Sequence, residues 1–152
     1  CFVCEQNGKE RDILDAAVKK CTYCQPLVAL PTSNQRLLEH KGAHILYDKN
    51  IDRSIEPCGL CLRPSPMCIF YLKRSFGMVS DIQVDQMRSV CVNKVSLKYK
   101  IAVTSISTSP CSNAPVICPE CPPKAPAVWK YNMPSHMERK HPHVLQNALG
   151  EE

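Results

Sequence analysis

The sequence predicts small α+β modules rather than one large core, and three observations support this fold class. Only 6% of the 152 residues are aromatic while 13 are proline, which is little material for a single core. Eleven residues are cysteine, and eight of them fall in CxxC pairs. Short helix-like and strand-like apolar patterns both occur along the chain. Small domains with weak cores usually recruit disulfides or metals, so the cysteines decide how the modules are stabilised.

Metal ligation is favoured over a disulfide framework. The pairs are Cys1/Cys4, Cys21/Cys24, Cys58/Cys61 and Cys118/Cys121. A knuckle of that spacing points two thiolates at one ion, and two of the four pairs are followed by a pair of histidines. The odd cysteine count and the lack of a visible signal peptide argue against disulfides. Zinc is the expected metal, and it implies a reducing compartment inside the cell. The chain opens at Cys1 rather than a methionine, which indicates a piece of a longer protein.

Residues 1–54 are predicted to form an N-terminal helix and a zinc finger. Apolar residues recur at helical spacing over residues 9–20. A second helix is predicted after Thr32 or Ser33, either of which can cap it, and it places His40 and His44 on one face. Fifteen residues separate Cys24 from the first of these histidines. The predicted zinc ligands are therefore Cys21, Cys24, His40 and His44.

An all-cysteine site is the alternative for this module. Sixteen residues separate Cys4 from Cys21, so Cys1, Cys4, Cys21 and Cys24 also have four-ligand spacing. That choice would leave both helix histidines unused, and the Cys-His set is preferred. Cys1 and Cys4 then remain as half of a further site.

Residues 55–113 are predicted to form a cysteine-rich β-module. Apolar and polar residues alternate over residues 94–105, which is the period-two pattern of a half-buried strand. The module holds one cysteine more than a zinc site needs. Cys68 lies inside the apolar run MCIFYLK and is interpreted as a small buried hydrophobe. The predicted ligands are Cys58, Cys61, Cys91 and Cys111.

Residues 114–152 are predicted to form a second two-Cys two-His finger with a tail. Fourteen residues separate Cys121 from His136, and four more separate the two histidines. Pro134 suits the first turn of a helix, and Trp129 is expected to be core rather than a stacking platform. The predicted ligands are Cys118, Cys121, His136 and His141, which brings the expected number of structural zinc ions to three.

The motifs resemble those of known zinc proteins. The first and third modules resemble two-Cys two-His fingers, and Trp129 and Tyr131 between the ligand pairs make the third similar to the BED-type variant. The segments EPCGLC, SPCSNAPVICPEC and AVWKYNMPSHMERKHP together are similar to a largely uncharacterised group of fungal multi-zinc-finger proteins. This resemblance covers most of residues 21–142, and it implies tandem zinc modules in a nuclear protein.

Double-stranded DNA is the expected partner, in a nuclear regulator or a protein derived from a mobile element. The net charge is +5, which suits a nucleic-acid surface. On the first helix Arg36 suits guanine and Gln35 suits adenine, while Lys98 and Lys100 share a predicted strand face and can follow the phosphates. The predicted contacts are Ser33, Gln35, Arg36, Glu39, Lys94, Lys98, Lys100, Lys130, Asn132, Ser135, Arg139 and Lys140.

Other function classes are less favoured by the sequence. A metal site closed by four protein ligands has no position for an activated water, and no nucleophile-base set is recognisable, so an enzyme with a small-molecule substrate is not expected. No run of 18 apolar residues predicts a membrane span. A zinc-stabilised protein-interaction module, such as a chromatin reader or ubiquitin-ligase-like domain, is the first alternative. RNA binding is the second, weakened because the few aromatic residues form no stacking row.

Overall fold

The computed structural model describes residues 19–74 and 81–144, and its mixture of helices and short strands confirms the α+β class. The strands are β1 (Lys20–Cys21), β2 (Val28–Ala29), β3 (Leu72–Arg74), β4 (Ile82–Val84), β5 (Pro115–Val116) and β6 (Val128–Trp129), and the helices are α1 (Asn34–Tyr47), α2 (Tyr99–Val103) and α3 (Met133–Lys140). Within the described residues these strands form three two-stranded antiparallel sheets, each pairing consecutive strands. Cys1, Cys4 and nearly all of the helix predicted over residues 9–20 lie outside the described residues.

The helix α1 forms where the sequence predicts it. Ser33 occupies the N-cap position, although its side chain makes no capping hydrogen bond. Leu37, Leu38 and Ile45 are buried, as the 3.6-residue period of an amphipathic helix requires. The polar residues of the middle turns are buried as well, among them the two histidines. Most of α1 therefore lies inside the fold rather than on its surface.

The strand predicted over residues 94–105 does not form. Burial alternates over residues 94–100 as predicted, but residues 94–98 pair with no strand and the chain then forms α2. Ala102 is fully buried whereas Ile101 is 44% exposed, the reverse of the strand prediction. Residues four apart, such as Tyr99 and Val103, share a face in both a strand and a helix, which explains why the pattern was ambiguous. In the predicted β-module, residues 55–113, the paired strands are instead β3 and β4, in which Leu72 lies opposite Val84.

One hydrophobic core joins all three predicted modules. It is formed by Leu38, Cys58, Leu60, Phe70, Val84, Ala102, Cys111, Ala114 and Trp129, which come from every part of the described chain. Phe70 and Trp129 meet edge to face with ring centroids 4.9 Å apart. The prediction that Trp129 is a core residue is confirmed, but the core is shared with residues 58–70. The three predicted modules therefore share one core in this structure, and the boundaries predicted between them stay predictions.

Gly59 is required where the CxxC knuckle of Cys58 packs against Trp129. A Cβ at this position would lie 2.4 to 2.6 Å from three atoms of the indole ring. Gly59→Ala is expected to lower the free energy of unfolding by about 1–3 kcal/mol, because the ring or the knuckle must move. Denaturant unfolding of the zinc-loaded protein measures this.

Gly42→Ala is the matched control for that change. The atom nearest to its Cβ would be the Sγ of Cys111 at 2.8 Å, and alanine in a helix interior gains up to about 1 kcal/mol over glycine. A smaller loss is therefore expected at Gly42 than at Gly59. Equal losses at the two positions would mean that the Trp129 ring accommodates the added methyl group.

Candidate metal centres

The first cluster consists of Cys21, Cys24, His40 and His44. The cysteines lie at the end of β1 and in the turn that follows it, and the histidines lie one turn apart on α1. The Nε2 atom of His44 is 3.4 Å from the Sγ of Cys21 and 3.3 Å from that of Cys24, and the Nε2 of His40 is 3.7 Å from the Sγ of Cys24. Around a tetrahedral zinc the S···N edge is about 3.6 Å. These four side chains therefore have the spacing of ligands around one ion.

Neighbouring side chains hold the first cluster in a state suited to a metal. The Nδ1 atom of His44 is 3.0 Å from a carboxylate oxygen of Asp48, which leaves Nε2 as the ligand atom. The buried Lys41 ammonium donates to the Sγ of Cys21 at 3.2 Å. Burial raises the pKa of Cys21, but nearby backbone N–H groups and Lys41 outweigh it, and the net pKa is lowered. Burial, with the charges of His44 and Lys41, lowers the pKa of His40 to about 4, which keeps this imidazole neutral.

The second cluster differs from the predicted set in one ligand: Cys68, and not Cys111, joins Cys58, Cys61 and Cys91. The Sγ atoms of Cys58 and Cys91 are 3.7 Å apart, and those of Cys61 and Cys68 are 3.3 Å apart. The S···S edge around a tetrahedral zinc is about 3.8 Å. Contacts with Cys58 and Cys91 lower the pKa of Cys61 to about 2, while burial raises the pKa of Cys68 to about 12. Four sulfurs this close cannot all ionise without a cation, and a divalent ion is the group that fits them.

Strand pairing explains why Cys68 belongs to this cluster. Ile69 and Val90 form an antiparallel bridge, which brings their neighbours Cys68 and Cys91 to the same place. Cys111 instead lies beneath α1, with its Sγ 3.7 Å from a backbone carbonyl oxygen. Burial raises the pKa of the Cys111 thiol, so this cysteine is the small buried hydrophobe. No local spacing in the sequence indicates this pairing, which joins residues about twenty positions apart.

The third cluster consists of Cys118, Cys121, His136 and His141, as predicted from the spacing. The cysteines follow β5, His136 lies on α3, and His141 is its C-cap. The Sγ of Cys121 is 3.3 Å from the Nε2 atoms of both histidines. Pro134 lies in the first turn of α3, as expected, and starts the helix that carries His136.

The three clusters share features that favour structural zinc. In each one the four ligand atoms lie within 4.8 Å of one another. Two sulfurs with two imidazoles, or four sulfurs, are donor sets that suit zinc. The nine cysteines among the described residues form no disulfides. Each cluster supplies four protein ligands, so a bound ion would have a closed coordination shell.

The α1 residues predicted to contact DNA are largely covered. Glu39 is only 8% exposed, contrary to the prediction that it lies on the outer side of the helix. Its carboxylate accepts a hydrogen bond from Ser109 at 2.8 Å and pairs with Arg36 at 3.2 Å. Gln35 donates to the same serine hydroxyl at 2.8 Å. The loop that contains Ser109 therefore packs on this face, and only Ser33 and Arg36 remain exposed.

Three other predicted DNA contacts have partners within the chain. Asn132 is 2% exposed and donates to the carbonyl oxygen of Pro57 at 2.8 Å, so its prediction as a surface contact was wrong. Lys94 donates to two backbone carbonyl oxygens at 2.7 and 3.0 Å. Lys100 pairs with Asp81 at 2.8 Å and, with α2 in place of the strand, no longer shares a strand face with its neighbours.

The remaining predicted contacts are more accessible. The helix α3 buries only its metal ligand. Ser135 is partly exposed, and four cations among these contacts are exposed: Lys98, Lys130, Arg139 and Lys140. Three of these four cations lie on α3 or on the 3-10 turn Lys130–Asn132 just before it. The surface of the third module therefore keeps all three of its predicted cationic contacts, Lys130, Arg139 and Lys140, in solvent.

The side chains that orient the ligands were not predicted from the sequence, since Asp48 and Lys41 carry no spacing signal of their own.

None of the helices in the described ranges has the length and apolar character needed to cross a membrane. Comparison with protein-family models, with curated proteins and with solved structures finds no match to this chain, so its resemblance to zinc-finger proteins rests on the motifs alone.

Proposed function

We propose that the protein is a zinc-stabilised DNA-binding region without enzymatic activity, acting in the nucleus as part of a regulator or a mobile-element-derived protein. The observation that carries this proposal is the contrast between two helices. α1 is largely buried, whereas α3 buries only its metal ligand and exposes Arg139 and Lys140. The principal DNA-contacting helix is therefore α3, and α1 offers only Arg36 in its exposed first turn.

Zinc contributes to this function by fixing α3. The third cluster ties the helix to the knuckle that follows β5, and α3 also contacts β6. With the helix held, Lys130, Arg139 and Lys140 present positive charge from a rigid element to the phosphates of a duplex. Arg36, exposed at the start of α1, is the candidate for a contact with a base edge.

The double change Arg139→Ala with Lys140→Ala tests the proposal. Loss of two phosphate contacts should weaken binding to all duplexes alike and reduce the slope of log K against log salt by about one or two units. The matched control is Lys73→Ala with Arg74→Ala, which removes the same charge from the exposed end of β3. Fluorescence anisotropy with a labelled duplex at several salt concentrations gives both slopes.

Two outcomes would contradict this assignment. Equal losses in the two double variants would mean that only net charge matters, and α3 would not be the contact surface. Tighter binding to a single-stranded RNA competitor than to duplex DNA would replace DNA by RNA as the partner.

A protein-interaction module is the second candidate function. A groove of about 390 Å³ favours it, because Leu30, Pro31 and Leu37 on one side and Val92 and Val95 on the other make its lining mainly apolar. Such a groove suits an apolar peptide segment of a partner protein. A protein that shows no affinity for duplex DNA even at low salt would have this function instead.

A further inference from the structure

Two buried polar atoms face each other between the second and third clusters. The Oε1 atom of Glu56 lies 3.4 Å from the Nδ1 atom of His136, and the two side chains are 14% and 7% exposed. Both atoms are buried, and neither has a hydrogen-bond partner as placed. Unpaired buried polar groups are costly, so this pair calls for a physical explanation. Binding of a metal to Nε2 of His136 supplies this explanation. The Nδ1 atom then carries the hydrogen and donates a hydrogen bond to the carboxylate.

Glu56 reaches His136 from the knuckle of the second cluster. It lies two residues before Cys58, and several contacts dock this knuckle onto the elements that carry the third cluster. The carbonyl oxygen of Pro57 accepts a hydrogen bond at 2.8 Å from Asn132, the residue just before α3. Gly59, inside the knuckle, packs directly against the ring of Trp129. The position of the carboxylate therefore depends on how the second cluster holds its knuckle.

We propose that Glu56 is a positioning residue for the third metal and that it links occupancy of the second and third sites. A carboxylate that accepts the Nδ1 proton fixes the tautomer and the ring orientation of a metal-bound histidine. Metal at the second site orders the knuckle and places Glu56, which favours metal at the third site. Because binding linkage is reciprocal, metal at the third site favours metal at the second by the same factor.

The inference rests on metal binding at these clusters and does not depend on DNA. Its failure and the failure of the proposed DNA-binding function are therefore distinguishable, since the test contains no nucleic acid. The first cluster serves as an internal reference, because its ligands and their orienting residues come from residues 21–48.

The test is a chelator titration read separately at each cluster. The zinc-loaded full chain is titrated with EDTA, treated with a thiol alkylating reagent, and digested, so that mass spectrometry reports the modification of each cysteine. In Glu56→Ala, Cys118 and Cys121 should become reactive at about 10- to 100-fold lower chelator concentration than in the unchanged protein. The cysteines of the second cluster should follow by a smaller factor, while Cys21 and Cys24 should be unchanged.

Two further variants complete the experiment. Glu138→Ala removes an exposed carboxylate from α3 and should behave as the unchanged protein. Glu56→Gln keeps the volume and an acceptor oxygen but not the charge, so its effect should lie between those of Glu138→Ala and Glu56→Ala.

Three results would overturn the inference. In the first, the third cluster of both Glu56 variants is as protected as in Glu138→Ala. In the second, the second cluster stays unchanged while only the third loses metal, which would remove the link between the sites. In the third, the first cluster loses protection together with the others, which would indicate general unfolding.

Discussion

Removing all three zinc ions with excess chelator is expected to unfold the whole described structure. A structural zinc site contributes an apparent binding free energy of about 10–16 kcal/mol at neutral pH, which is as large as or larger than the net stability of about 5–15 kcal/mol of a typical domain. The three clusters surround one core that contains residues from α1, from the hairpin of β3 and β4, and from β6. Loss of the metals should therefore disrupt that core as a unit.

Trp129 reports this transition, because it is the protein's one tryptophan and is 5% exposed. Its emission should shift to the red as the chelator is added and return when zinc is restored, whereas Mg²⁺, which prefers oxygen ligands, should not restore it. Native mass spectrometry should show three zinc ions per chain before the titration, one for each cluster. Amides of α1 or α3 that stay protected from hydrogen exchange after all the zinc is removed would contradict the shared core.

The shared core also determines what the substitution of a single ligand should do. Separate modules would confine the effect of His136→Ala to the third module. Because Trp129 packs on Phe70 and against Gly59, loss of the third metal should also reduce the hydrogen-exchange protection of the hairpin of β3 and β4. If the hairpin kept its original hydrogen-exchange protection in His136→Ala, the result would instead support independent modules.

The parts of the fold that the sequence predicts are those set by local spacing. CxxC pairs and histidines four or five residues apart bring ligands together through a knuckle and one helix, which needs no knowledge of distant contacts. The helix α1 follows its apolar period, and α3 follows Pro134 in its first turn. Within the first cluster, and likewise within the third, the four ligands lie close together in sequence. Spacing alone was therefore enough to group them.

The parts that spacing could not predict depend on contacts between distant residues. Cys68 joins the second cluster through the bridge of Ile69 with Val90, a pairing that no local period indicates. Glu39 is buried because the loop that contains Ser109, far along the chain, packs against α1. There Ser109 donates a hydrogen bond to the Glu39 carboxylate. A helix with polar residues on several faces carries no local signal of which face a distant loop will cover. The sequence for this reason predicted a surface helix where the structure has a buried one.

Cys68→Ser is expected to reduce the zinc content from three ions to two, whereas Cys111→Ser should leave all three. Cys68 is one of four sulfurs that lie within 4.8 Å of one another, and a serine hydroxyl is a poor replacement for a thiolate zinc ligand. Cys111 is absent from that group and packs against α1. The two substitutions are chemically identical, so each serves as the control for the other.

The two variants should also differ in stability. Without the second metal the knuckle that carries Gly59 is released from Trp129, so Cys68→Ser should show red-shifted Trp129 emission even in excess zinc. Cys111→Ser places a hydroxyl in the core, which should lower the free energy of unfolding by about 1–3 kcal/mol while the metals stay bound. Native mass spectrometry and denaturant unfolding measure both quantities on the same samples. If Cys111→Ser lost an ion and Cys68→Ser retained all three, the ligand set would be Cys58, Cys61, Cys91 and Cys111, and the strand pairing that brings Cys68 to Cys91 would be wrong.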